Sequence, residues 1–180
     1  MRRALVALAL CAGLFACGYR FTAGGGALPD GARTLYVPVF KNLTAEPGLE
    51  GAFTDAFRQE LSRWGREGGQ ASDAVAQGEV VSVGGGPAIF TNTYSDAGTQ
   101  LVATAAYRVQ ATVVVRVLRA GNKLAETTVS GGEDYLPRRP EVGSAGPGTG
   151  VLEAEANRRM ALRRLAASLM RQAYQNLTGL

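Results

Sequence analysis

Apolar positions follow three different rhythms along the chain. Residues 4–15 form an almost unbroken apolar run directly behind Arg2 and Arg3. Within residues 49–64, Leu49, Phe53, Ala56, Phe57, Leu61 and Trp64 recur every three or four positions, while Glu50, Asp55, Arg58, Gln59, Ser62 and Arg63 fall largely elsewhere. That spacing predicts an amphipathic helix, opened by Glu46-Pro47 and closed near Gly65. A second helix is predicted over about 151–177. Its apolar stripe is Ala161, Leu162, Leu165, Ala166, Leu169, Ala173 and Leu177, and Arg159, Arg163, Arg164 and Arg171 solvate the rest.

Between the two helices the period drops to two. Tyr107, Val109, Ala111, Val113, Val115 and Val117 point one way, and Arg108, Gln110, Thr112, Val114 and Arg116 the other, as in a strand with one buried face. Residues 120–123, Ala-Gly-Asn-Lys, predict a hairpin turn, with 124–130 returning as a partner strand. Residues 34–40 read as another strand, with Pro38 at an edge or near its end. Residues 74–83 and 88–94 are β-rich on either side of Gly84-Gly85-Gly86-Pro87. No Lys-Ser or Lys-Thr follows these glycines, so they mark a bulge or strand break rather than a phosphate loop. A turn is expected at 95–98, and a proline- and glycine-rich loop at 136–150. The order strand, helix, strands, helix predicts an α+β fold: a two-layer α/β sandwich with two helices packed on one face of a mostly antiparallel four-stranded sheet. The other face must meet water or a partner.

The first apolar run is too short to cross a bilayer, which takes about 20 apolar residues. With its basic start it has the layout of a secretory signal. Ala16-Cys17 resembles the lipobox of bacterial lipoproteins, in which cleavage precedes an acylated cysteine. Cys11 would leave with the signal, so Cys17 would be the sole thiol, without a disulfide partner. The expected organisation is a signal peptide at 1–16, a lipidated leader at 17–33 and a single domain at 34–180. Each buried acyl methylene contributes roughly 0.8 kcal/mol, so two or three chains would hold the protein on a membrane.

Composition narrows the functions. The formal charge of +4 falls to +2 once Arg2 and Arg3 leave, which gives no case for nucleic acid. The chain has no histidine, which removes the commonest general base and metal ligand, and neither a cofactor nor a metal is expected. It also lacks a Gly-x-Ser-x-Gly elbow and paired carboxylates in a recognisable frame, so no enzymatic role is expected.

The segment Cys17-Gly18-Tyr19-Arg20-Phe21, then Leu28-Pro29, the run Val37-Pro38-Val39-Phe40, and Asn42-Leu43-Thr44-Ala45-Glu46-Pro47-Gly48-Leu49-Glu50 resemble the LptE family of lipopolysaccharide-assembly lipoproteins. The Ala106-Tyr107-Arg108-Val109 strand and the terminal helix fit the family's order of elements. This resemblance implies a periplasm-facing, lipid-anchored outer-membrane protein that plugs the lumen of the LptD β-barrel. It also implies help in assembling that barrel, lipopolysaccharide binding, and no catalysis. Gly18, where aspartate is absent, suits outer-membrane sorting. Lipopolysaccharide phosphates would be met by basic residues, and the candidates are Arg138 and Arg139 in the loop, then Arg116, Arg119 and Lys123 near the hairpin. A second resemblance, to CsgG-like and LpoB-like envelope lipoproteins, rests on the strand, Asn-x-Thr loop and helix. It implies a role in secretion or in activating a peptidoglycan synthase.

Overall fold

A computed structural model describes residues 26–94, 100–136 and 149–180. The signal, Cys17, the turn expected at 95–98, and Arg138 with Arg139 lie outside the described residues. The elements in order are β1 (Leu35–Tyr36), β2 (Lys41–Asn42), α1 (Leu49–Arg63), β3 (Glu67–Gly68), β4 (Ala74–Tyr94), β5 (Gln100–Arg119), β6 (Asn122–Tyr135) and α2 (Thr149–Thr178).

The fold is mixed α+β, with two helices and one sheet packed together, but the sheet has six strands rather than four. Its order is β3-β1-β4-β5-β6, with β2 also paired to β4. The long strands β4, β5 and β6 are antiparallel. The short ones are parallel: β1 to β3 and to β4, and β2 to β4. The strand expected at 34–40 is cut into β1 and, beyond its end, β2 for a local reason. Pro38 has no N–H to give a ladder, and α1 takes up the backbone on either side of it. The Arg58 guanidinium donates to the Val37 carbonyl at 3.1 and 2.6 Å, and the Phe40 N–H donates to Thr54 Oγ1 at 2.9 Å. The two-residue β3 is too short to show any periodicity.

The alternation read along β5 is the alternation observed. Val109, Ala111, Val113, Val115 and Val117 are buried beneath the helices, and Arg108 and Gln110 are exposed on the other face. Across from them on β4, Ala76, Gly78 and Val80 pair with Val117, Val115 and Val113. A bulge at Val81 then inserts one residue, so that Val83, three positions after Val80, faces the core opposite Ala111. The three glycines do not break β4. Gly84, Gly85 and Gly86 keep register with Gln110, Val109 and Arg108, and further irregularities fall just after, around Pro87 and Ile89. The hairpin to β6 is the two-residue turn Ala120-Gly121, both at positive φ (49° and 83°), the type I′ geometry whose twist matches the flanking strands.

Both helices lie on the buried face with the predicted stripes inward, except that Trp64 falls just past the end of α1 and is 40 % exposed. Phe53, Phe57 and Leu61 of α1 and Leu165, Met170 and Ala173 of α2 are at most 2 % exposed, each large side chain contributing roughly 1.5–3 kcal/mol on burial. Glycines set the approach of the layers. The Phe40 ring lies where a Cβ on Gly78 would come within 2.2 Å, and Leu169 sits 3.2 Å from a Cβ position on Gly131. Trp64 stacks on Tyr174, joining the helices at their C-terminal ends, with centroids 6.0 Å apart and planes 3° from parallel. Arg158 of α2 makes a two-pronged ion pair with Glu46, the loop carboxylate before α1, with Nη2–Oε2 at 2.8 Å. That hydrogen-bonded guanidinium, opposed by partial burial, holds the Glu46 carboxyl below its ordinary value of 4.5.

The leader is fastened at one end of this body. Leu28 and Ala32 are buried, and Gly26 lies so close to Thr178 of α2 that a Cβ there would come within 2.6 Å. About nine residues separate Gly26 from Cys17, a reach of at most about 30 Å when extended.

Candidate functional site

The sheet face that no helix covers presents itself in cross-strand rows. Gln77, Arg116 and Glu126 make one row, and Gly86, Arg108 and Asp134 another. Between them lie the rows Glu79-Val114-Thr128, Ser82-Thr112-Ser130 and Gly84-Gln110-Gly132. Apart from Glu79 and Gln110, the middle of the face carries short neutral side chains. The charged rows at its borders are neutralised within themselves.

Arg116 shows how. Its guanidinium is 2.7 Å from Glu79 Oε2 and 2.7 Å from Glu126 Oε2, while Lys41 stands 3.8 Å from Glu79 and Lys123 3.5 Å from Glu126. Positive and negative groups thus alternate across β2, β4, β5 and β6. The hydrogen bonds to Glu79 and then Glu126 raise the guanidinium pKa further, and the Arg116 hydrogen bond lowers that of Glu126. At the other border, Arg108 binds Asp134 with two parallel bonds of 2.6 and 2.9 Å, the fork geometry that suits guanidinium to carboxylate.

The three basic candidates among the described residues do not form one cluster. Arg116 and Lys123 belong to the charge row just described. Arg119 points to the leader end, where its Nη1 is 2.5 Å from Asp30 Oδ2 and 3.2 Å from the Asp30 carbonyl, and its Nε is 3.4 Å from the Asp73 carbonyl. It staples the β5–β6 hairpin end to the 3-10 turn Pro29–Gly31. Arg138 and Arg139 stand outside the described residues.

A groove of about 550 Å³ opens at the opposite end, between the end of β6 and α2. Tyr135, Leu136, Asn157, Met160 and Arg164 are among its lining residues. The lining Tyr135 packs its ring against Tyr107 with centroids 5.9 Å apart, and Asn157 donates to the Leu136 carbonyl at 3.1 Å. Arg164 is held 2.7 Å from Glu133. Leu136, Leu152 and Met160 are 54 %, 75 % and 50 % exposed, so among the described residues this end carries open apolar surface. Sequence reasoning missed the groove, although Glu153, Asn157, Met160 and Arg164 recur at four, three and four residues along α2 and mark one helix face.

Among the described residues no cluster of carboxylates, cysteines or histidines has the arrangement of a metal site, and no helix is long and apolar enough to cross a membrane. The two surfaces that stand out are the open sheet face, with its charges paired across strands, and the apolar-lipped groove.

Solved structures resemble the chain at low identity. A Caulobacter crescentus protein assigned as a lipoprotein is 12 % identical, with a TM-score of 0.49 over 78 % of this chain and 89 % of that one. The PelC dodecamer from Paraburkholderia phytofirmans is 15 % identical, with a TM-score of 0.46 over 84 % and 93 %. The rare lipoprotein B from Shewanella oneidensis is 12 % identical, with a TM-score of 0.43 over 80 % and 94 %. No curated protein matches the chain. The family model for LptE, lipopolysaccharide assembly, matches residues 32–177, nearly the whole described body. The chain belongs to the LptE lipopolysaccharide-assembly family.

Proposed function

We propose that this chain is a lipid-anchored plug of the outer-membrane barrel LptD, which it helps to assemble and through which it helps deliver lipopolysaccharide to the outer leaflet. The observation that carries the reading is the family match over residues 32–177. Acylation of Cys17 would fasten the chain to the periplasmic leaflet, with the short leader limiting how far the body can travel. Two features of the body support a plug. Its charges are largely paired on its own surface, and the middle of its open sheet face is mostly short and neutral. A large barrel has a polar lumen, which such a surface can line without leaving charges unpaired.

Lipopolysaccharide contact is assigned to Arg138 and Arg139, which follow Leu136 of the groove by two and three residues, with Lys123 as a further candidate. Arg116 and Arg119 are candidates on the same footing, and all three, Lys123 included, are already engaged by carboxylates, so a phosphate would have to displace those partners. Depletion of the chain tests the function. The expected result is misassembled LptD barrel and lipopolysaccharide held short of the cell surface. Normal surface lipopolysaccharide in the depleted strain would overturn the reading.

A further inference from the structure

Beyond the last β5–β6 pair, Tyr107 with Tyr135, strands β4 and β5 run on together as a two-stranded ribbon. Its tip is regular: Phe90 to Tyr94 pair in unbroken register with Thr104 to Gln100. Pro87 and an irregularity on each strand separate this tip from the body, since register skips Ala88 on β4 and Ala105 on β5. Among the described residues neither outer edge of the tip has a partner strand.

The sheet's other long open edge shows what is unusual here. β6 carries Lys123, Glu126, Glu133 and Asp134, the charges that keep a second strand from adding to an edge. From Val83 to Ala106 the only charged residue is Asp96, in a chain that is 19 % charged. The described part of the tip carries none, and it has neither proline nor glycine. Ile89 and Phe90 at its base are 50 % and 61 % exposed. A two-stranded ribbon is marginal in water on its own, and its free N–H and C=O groups are met in register only by another extended main chain.

We propose that the ribbon tip, residues 90–94 and 100–104, accepts a third strand from an uncharged, extended segment of the barrel protein. The proposal rests on the plug reading and adds to it the place and the mode of contact. A closed barrel wall offers no edge, so the added strand comes from a loop or inward-projecting segment. The chain's own continuation after β6 is a poor occupant, because Pro137 and Pro140 lack the N–H groups a strand there would donate.

Hydrogen exchange on the full-length lipoprotein, alone and co-purified with LptD, tests this. On complex formation, amides of one outer edge within 90–94 or 100–104 should slow by about tenfold or more, while those on the outer edge of β6 stay unchanged. An Ala103→Lys variant should weaken the complex by about tenfold and Ala103→Ser should not, both with the unfolding midpoint of the body unaltered. A stable complex in which the ribbon amides exchange as fast as in the free chain overturns the strand addition and leaves the plug reading standing. Failure to form any complex overturns both. Protection already present in the free chain, protection that grows with its concentration, or protection by vesicles without LptD assigns the edge to the chain itself, a second copy or the bilayer, and each overturns the proposal.

Discussion

Val113 and Val114 are neighbours on β5 with identical side chains. Val113 is fully buried against the helices, whereas Val114 lies half-buried on the open face, in a row with Glu79 and Thr128. The buried face is held by apolar packing in which glycines let rings and leucines approach the sheet. The open face is held by paired charges at its borders and short neutral side chains between them. One face therefore makes the fold, and the other is free to serve a partner.

The sharpest way to break this contrast is to put a carboxylate at each valine in turn. Val113→Asp buries an unpaired charge and should cost several kcal/mol, comparable with the stability of a whole domain; Leu165→Asp should do the same from the helix side. Val114→Asp should leave the isolated domain folded, with a change of about 1 kcal/mol or less. Denaturant unfolding of the three variants reads the difference, and equal losses from Val113→Asp and Val114→Asp would mean that both faces are core.

Next in size is Gly78→Ala. The added methyl meets the Phe40 ring, which must move out of its buried place, so a loss of about 1–3 kcal/mol is expected. Gly84→Ala, on the open face with nothing within 4 Å of its added carbon, should cost under about 1 kcal/mol.

A smaller effect concerns acid. The Glu46 carboxyl sits below its ordinary 4.5 because of Arg158, so its contribution is complete above that value and disappears as pH falls through the lowered one. Arg158→Ala should cost about 1–2 kcal/mol at neutral pH and flatten the acid side of the stability profile. An unchanged profile would show that the pair contributes nothing to folding. Smallest of all should be Lys123→Ala, at the solvated end of the charge row, which is expected to shift stability by under about 0.5 kcal/mol.

Legibility in the sequence followed element length and local chemistry. The faces of β5 and the stripes of both helices were readable because each repeats over several turns or pairs, and the structure places Val113, Phe57 and Leu165 in the core as the periodicity requires. The division of the strand expected at 34–40 was not readable, because its backbone is claimed by Arg58 and Thr54 from a helix that follows it in sequence. Parallel β3 was hidden by its two-residue length. The bulge was expected at the three glycines, but the first one falls at Val81, where it keeps Val83 on the inner face. The basic residues were the least legible. A positive charge in sequence gives no sign that Arg116 will be enclosed by Glu79 and Glu126, nor that Arg119 will tie down Asp30 across 89 residues. Such pairings depend on register, which a single strand's pattern does not contain.

The most direct measurement is purification of the full-length lipoprotein from envelope membranes under conditions that keep complexes intact, with identification of what accompanies it. An equimolar complex with the LptD barrel is expected, retained by Val114→Ala, which leaves the core untouched. A chain that emerges alone, or with a peptidoglycan synthase in place of a barrel, would contradict it.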